Sequence, residues 1–204
     1  GTRDVKKTGT VGFGKTTFPG HTSIPAMAED FFRLLNYLQI EKTDLVGISM
    51  GGVLALQLAL DHPALVNRLV LINTFATLRP KSRKVWFYFI FRFIMVHTIG
   101  MKSQARFVAK RIFPKPGQDV LRKELIAQIS QASPKGYRAT MRALGVFDIS
   151  QRLGEILSPT LIVTGDRDST VPPDVQSTLA RKIPGAIQMF IPDAGHAVSV
   201  EQPE

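Results

Sequence analysis

An α/β fold, with a mostly parallel sheet and helices on both faces, is predicted by three features of the sequence. Short apolar runs at residues 44–48, 68–75, 160–163 and 187–191 alternate with longer segments of helical periodicity, the pattern of strand–helix–strand crossovers. Glycine-containing loops follow three of these runs, 44–48, 160–163 and 187–191, where the carboxyl ends of strands would lie, which is where open sheets of this class carry their sites. A chain of 204 residues with 44% hydrophobic residues can also bury a substantial core as one domain, with room for a subdomain.

Ile24, Met27, Phe31, Leu34, Leu35 and Leu38 recur at helical spacing, so residues 24–39 read as an amphipathic helix. Ser23 suits its cap and Pro25 its first turn. Residues 44–48 form the next strand, 53–62 a helix that Pro63 ends, and 68–75 a further strand. Two helices follow at 102–113 and 119–130, separated by Pro114-Lys115-Pro116-Gly117. The last third reads strand 160–163, helix 173–183, strand 187–191. No internal repeat or low-complexity segment interrupts this order.

Gly47-Ile48-Ser49-Met50-Gly51 places a serine at a strand-to-helix turn, flanked by glycines. Such a turn pushes a hydroxyl out above the end of a strand, and bulky side chains at the two glycine positions are expected to collide with neighbouring elements. The helix start beyond it aims free N–H groups at any anion formed on a substrate. Read structurally, Ser49 would only cap that helix. Downstream, Gly165-Asp166-Arg167-Asp168 follows the strand at 160–163, and Pro192-Asp193-Ala194-Gly195-His196 follows the strand at 187–191. A hydroxyl needs a base, imidazole is the side chain whose pKa suits that task, and the imidazole needs a carboxylate to fix its tautomer. The chain order serine, acid, histidine is the one that a strand–serine–helix turn of this kind accompanies. On residues alone Asp166 and Asp168 compete for the acid, and Asp193 reads as a turn residue. His21, His62 and His97 do not follow a strand-end glycine as His196 does.

These stretches, with Gly52, Val171-Pro172 and Glu201-Gln202-Pro203, resemble the α/β-hydrolase superfamily, in its branch with an insert between the sixth and seventh strands. The similarity extends over most of residues 20–76 and 156–204. It implies Ser49 as nucleophile, His196 as base, Asp168 as acid by the pattern G-x-x-D, and the Met50 N–H as one oxyanion donor. Serine at the turn argues against the branches that use aspartate there. The resemblance further implies core segments at 1–76 and 156–204 with a helical cap at 77–155. It places residue 1 at the fourth strand, so the first strands and one oxyanion loop are expected to be missing, as is the C-terminal helix that usually closes the sheet. Weak or no activity is therefore expected of these 204 residues alone.

Gly9-Thr10-Val11-Gly12-Phe13-Gly14-Lys15-Thr16 satisfies the nucleotide-binding pattern G-x-x-x-x-G-K-[ST]. That motif works only between a buried strand and a helix N-terminus. Here charged residues precede it and Phe18-Pro19-Gly20 would break a helix in its first turns, so phosphate binding is set aside. In the resemblance the segment matches the tail of a D-x-R-G-x-G-x-S loop, with the aspartate and arginine out of register.

Residues 79–152 hold sixteen Lys or Arg against three Asp or Glu, so the net charge of +10 resides in the insert rather than in the catalytic half. Within it Val85 to Val96 is an aromatic run interrupted by Arg92, too short and too charged in its middle for a membrane span. The run reads as a helix buried on the core, as one resting on an anionic membrane surface, or as a docking face for an acidic acyl carrier. No nucleic-acid motif accompanies the basic residues. With no cysteine, disulfides and thiol redox chemistry are excluded, and the chemistry calls for no cofactor and no metal. A cytoplasmic location is the expectation, although a signal peptide would precede residue 1. The leading functional expectation is hydrolysis of a hydrophobic carboxylic ester or related acyl bond through an acyl-enzyme. Carbon–carbon or thioester hydrolysis, a non-catalytic ligand-binding role of the same fold and a membrane-surface module are the alternatives.

Overall fold

The computed structural model describes residues 22–78 and 100–203, together with Phe87, Ile94 and Thr98 between them. The nucleotide-motif look-alike at 9–16 lies outside the described residues, as does the aromatic run except for Phe87 and Ile94, which are exposed. Among the described residues no helix is long and apolar enough to cross a membrane.

Four parallel strands, β1 (Thr43–Ile48), β2 (Val66–Ile72), β3 (Thr160–Gly165) and β4 (Ile187–Ile191), lie side by side in chain order. Helix α1 (Ile24–Tyr37) precedes β1, α2 (Met50–Asp61) joins β1 to β2, and α6 (Pro173–Lys182) joins β3 to β4. Ser23 caps α1 by accepting a hydrogen bond from the Ala26 N–H at 3.2 Å. Apart from Gln57, whose amide donates to Asp61, helix α2 is apolar and buried from Gly52 to Leu60, as expected for a helix at the centre of a domain. It begins directly after Ser49, three residues earlier than the periodicity indicates, and β2 ends at Ile72 rather than running on to Phe75.

Side chains alternate across a strand, so the register assigns each residue to a face. Leu69, Leu71 and Ile162 share one face and are fully buried in a single core with Val53, Leu56 and Leu58 of α2, Ile24 and Met27 of α1, and Leu179 of α6. Burying each large aliphatic side chain there contributes roughly 2 kcal/mol relative to exposure. The opposite face bears two apolar rows, Val46–Val70–Leu161–Ile187 and Ile48–Ile72–Val163–Met189. Val46, Ile187 and Met189 are at least half exposed, so among the described residues the sheet-packing helices cover one face of the two expected.

Between β2 and β3 come α3 (Met101–Ile112), α4 (Asp119–Ser130) and α5 (Pro134–Val146). The first two agree closely with the sequence expectation. Helix α5 does not figure in it, although Ser133 and Pro134 mark its start and the Ser133 hydroxyl accepts from the Gly136 N–H. Its buried stripe is Gly136, Ala139, Thr140, Ala143 and Leu144, with Leu144 the one large aliphatic side chain among them. Ala143 and Leu144 belong to the same core as the sheet. A Thr77–Asp148 bridge and the Ile149 N–H on the Ala76 carbonyl close the base of the insert.

All four strands deliver their carboxyl ends to one side, where Asn73 joins them. It follows β2 with φ 46°, a left-handed conformation that asparagine tolerates better than most residues, and it is fully buried. Its Nδ2 donates to the carbonyls of Gly195 and His196 at 2.9 and 2.8 Å, and its Oδ1 accepts from the Gly165 N–H at 2.9 Å and Gln176 Nε2 at 3.2 Å.

The turn after β1 is packed as tightly. A Cβ on Gly47 would lie 2.5 Å from the Gly51 carbonyl oxygen, and one on Gly52 would lie 2.6 Å from the Thr74 side chain. Among the described residues a Cβ on Gly51 would meet nothing within 4 Å, which corrects the expectation that both motif glycines are sterically required. The second obligatory glycine is Gly52, because α2 lies against Thr74 there.

Gly52→Ala should therefore destabilise the protein by about 1–3 kcal/mol through overpacking. Gly51→Ala should leave stability unchanged or raise it by up to about 1 kcal/mol, since alanine suits a helix better than glycine. Denaturant midpoints of the two variants check the contrast. Asn73→Ala should cost about 3 kcal/mol or more by the same measurement, because it orphans buried carbonyls and a buried N–H together.

Candidate active site

Ser49 occupies the turn between β1 and α2 with φ 50° and ψ −117°, a sparsely populated conformation for a residue with a side chain. Its backbone is held on every side. The Ser49 N–H donates to the Ile72 carbonyl at 2.9 Å, and the Ser49 carbonyl accepts from Thr74 Oγ1 at 2.6 Å and from the N–H groups of Gly52 and Val53. The hydroxyl makes no capping bond to α2, so the purely structural role open to this serine is not the one it plays. The N–H groups of Met50 and Gly51 head the helix, and among the described residues no hydrogen bond occupies that of Met50.

His196 lies five residues beyond β4, with its ring between the serine and an acid. The Ser49 hydroxyl is 3.0 Å from Nε2, and Nδ1 is 2.8 Å from Asp168 Oδ2. These partners assign the tautomer: Nδ1–H donates to the carboxylate, which leaves the Nε2 lone pair to accept from the hydroxyl. The Asp168 side chain is fully buried, and its Oδ1 accepts from the N–H groups of Thr170 and Val171 at 2.7 and 2.9 Å. A buried carboxylate is costly unless paired and hydrogen-bonded, and both conditions hold here.

Of the two candidate acids, Asp168 is the one that reaches the imidazole. Asp166 is exposed, 3.9 Å from its neighbour Arg167, and its N–H is spent on the Ile191 carbonyl. Asp193 is a turn residue with φ 54°, and Lys115 donates to both its carbonyl and its carboxylate. Of the other histidines, His62 pairs with Glu29 at 3.1 Å and stacks on Phe32, whereas His21 and His97 lie outside the described residues. Gly165 is obligatory at the acid loop, since a Cβ there would lie 2.4 Å from the Gly195 carbonyl oxygen. Among the described residues no group of three or more His, Asp or Glu is arranged to hold a metal ion.

Several supporting residues carry no sequence signal of their own. Thr164 is buried between Gln176 and Gln188, and Gln176 also donates to the Val171 carbonyl, which secures the loop that presents Asp168. From the insert, Arg111 Nη2 donates to the Ser169 carbonyl at 2.6 Å, next to Asp168. Lys115 holds Asp193 at 2.8 Å, three residues before His196, so the insert reaches both loops that carry the line.

A family model described as alpha/beta hydrolase fold matches residues 10–203. The protein named "Putative carbamate hydrolase RutD" from Agrobacterium fabrum (strain C58) is 30% identical over 200 residues, which are 95% of this chain and 76% of that protein. The crystal structure of the enol-lactonase from Burkholderia xenovorans LB400 aligns with TM-score 0.85 at 27% identity, covering 95% of this chain and 74% of that one. The thermophilic esterase from Thermogutta terrifontis aligns with TM-score 0.82 at 29% identity, covering 95% and 73%. The sheet of parallel strands, the serine turn and a family match over nearly the whole chain agree, and the protein belongs to the alpha/beta hydrolase fold family.

Proposed function

We propose that the protein is a serine hydrolase that cleaves a carboxylic ester or related acyl bond of a hydrophobic substrate through an acyl-enzyme. The observation that carries this reading is the continuous line from the Ser49 hydroxyl through both nitrogens of His196 to buried Asp168. Ser49 Oγ attacks the acyl carbon as His196 Nε2 takes its proton, and Asp168 stabilises the imidazolium. The resulting oxyanion is met by the N–H of Met50. Collapse expels the leaving group, which takes the proton back from Nε2. Water then attacks the acyl-enzyme, again giving its proton to His196, and the acid departs with Ser49 restored.

The names of the relatives, carbamate hydrolase, enol-lactonase and esterase, share attack on an acyl carbon, which supports the reaction class and leaves the leaving group open. In this reading the segment between β2 and β3 acts as a cap that shapes the substrate pocket. Arg111 and Lys115 support that role, because they fasten it to the loops bearing Asp168 and His196.

A fluorophosphonate probe should label Ser49 and no other residue, as read by peptide mass spectrometry. Ser49→Ala and His196→Ala should each lower ester turnover by roughly 10⁴–10⁶-fold, and Asp168→Asn by about 10⁴-fold. Wild-type turnover of ester, lactone and carbamate probes that none of these substitutions alters would refute the assignment.

The fastening itself is testable by pH. The Lys115 ammonium beside Asp193, as hydrogen-bond donor and as charge, holds that carboxyl below the usual carboxylate range. A carboxyl depressed by folding contributes stability above its unfolded value of about 3.9 and loses it as pH falls through the lower folded value. The contact should thus be intact at neutral pH, and Lys115→Met should move the Asp193 titration upward toward that value in a carbon-13 NMR titration of the carboxyl.

A further inference from the structure

We propose that Glu201 is a positioning residue for His196, acting through the backbone on both sides of the imidazole; the proposal rests on the serine-hydrolase reading above. Glu201 ends the short helix α7 (Val198–Glu201) and folds back over that turn. Its Oε2 accepts from the Gly195 N–H and its Oε1 from the Ala197 N–H, each at 3.1 Å. The two donors flank His196 in the chain.

From the other side, Asn73 Nδ2 donates to the carbonyls of Gly195 and His196. The peptide units around the imidazole are therefore held twice, their N–H groups by a carboxylate and their carbonyls by an amide. Hydrogen bonds to an ionised acceptor are about twice as strong as neutral ones, and Gly195 is buried, so its N–H has no ready substitute in solvent. The fit also explains the glycine. A Cβ on Gly195 would lie 2.8 Å from Glu201 Oε1 and 3.1 Å from Oε2, so the carboxylate fills the space that a side chain would need. Among the described residues Gln118 Nε2 also donates to Oε2, at 3.5 Å, a longer and weaker bond than those from the backbone. Glu201 touches none of the reacting groups Ser49, His196 Nε2 or Asp168, which makes it a positioning rather than a catalytic residue.

Glu201→Ala and Glu201→Gln in the full chain test the proposal by three readouts. These are turnover of a p-nitrophenyl ester, the rate at which a fluorophosphonate modifies Ser49, and the downfield proton NMR resonance of His196 Nδ1–H at low temperature. Glu201→Ala should lower kcat by about ten- to a hundredfold with KM within about twofold, because a small misplacement of the base costs chemistry rather than binding. It should slow the labelling of Ser49 by a similar factor and broaden or abolish the resonance. Glu201→Gln, which keeps one acceptor oxygen, should recover part of each loss, and it decides the matter if the alanine variant does not fold. Kcat, labelling and resonance unchanged in both variants would overturn the proposal, as would a rise in KM alone or a wild-type protein lacking the resonance. A wild-type protein that shows the resonance, loses it on substitution and yet neither labels nor turns over esters would uphold the positioning role while refuting the hydrolase reading.

Discussion

One buried amide organises the carboxyl edge of this sheet. Asn73 hydrogen-bonds four polar groups drawn from the end of β3, the loop after β4 and helix α6, with two donors and one shared acceptor. Its own N–H donates to the Val163 carbonyl at 3.1 Å. Parallel strands fix the spacing of their ends but not the paths of the loops beyond them. A satisfied amide at the centre turns those loops into a single platform, and the same low dielectric that strengthens its bonds makes any missing partner expensive. The loop that carries His196 and the loop that carries Asp168 are both tied to it.

Ser49 shows how backbone strain is sustained at a turn. A non-glycine residue with φ 50° carries a conformational cost of roughly 1–3 kcal/mol, and it persists only where its surroundings over-determine it. Here the surroundings are the Ile72 carbonyl, the Thr74 hydroxyl and the first N–H groups of α2, reinforced by the close approach of Gly47 and Gly52 to their neighbours. The core beneath serves the same end, because α2 can start immediately after the serine only if its largely apolar surface is buried against the sheet and α1.

The insert illustrates the difference between counting charges and locating them. Its net positive charge suggests a field directed outward, yet several basic side chains are spent internally. Arg111 and Lys115 hold the acid and histidine loops, and Arg122 donates to the carbonyls of Phe113 and Lys115 and to Asp119. Part of the basic character is thus structural. Exposed pairs of this kind contribute little stability individually, and their value here lies in tying one segment to another.

The sequence by itself determined the alternation of strands and helices, the position of the serine turn, and the chain order of serine, acid and histidine, because each is written in local periodicity or in a contiguous motif. It made Gly51 rather than Gly52 the second indispensable glycine, and assigned no role to Asn73, Thr74 or Gln176. Tertiary structure alone decided these points, for one physical reason. Whether a carboxylate reaches an imidazole, whether a Cβ has room, and whether an amide finds its partners depend on distances between residues far apart in the chain. Asn73 and His196, separated by 123 positions, meet at 2.8 Å only once the strands have packed side by side.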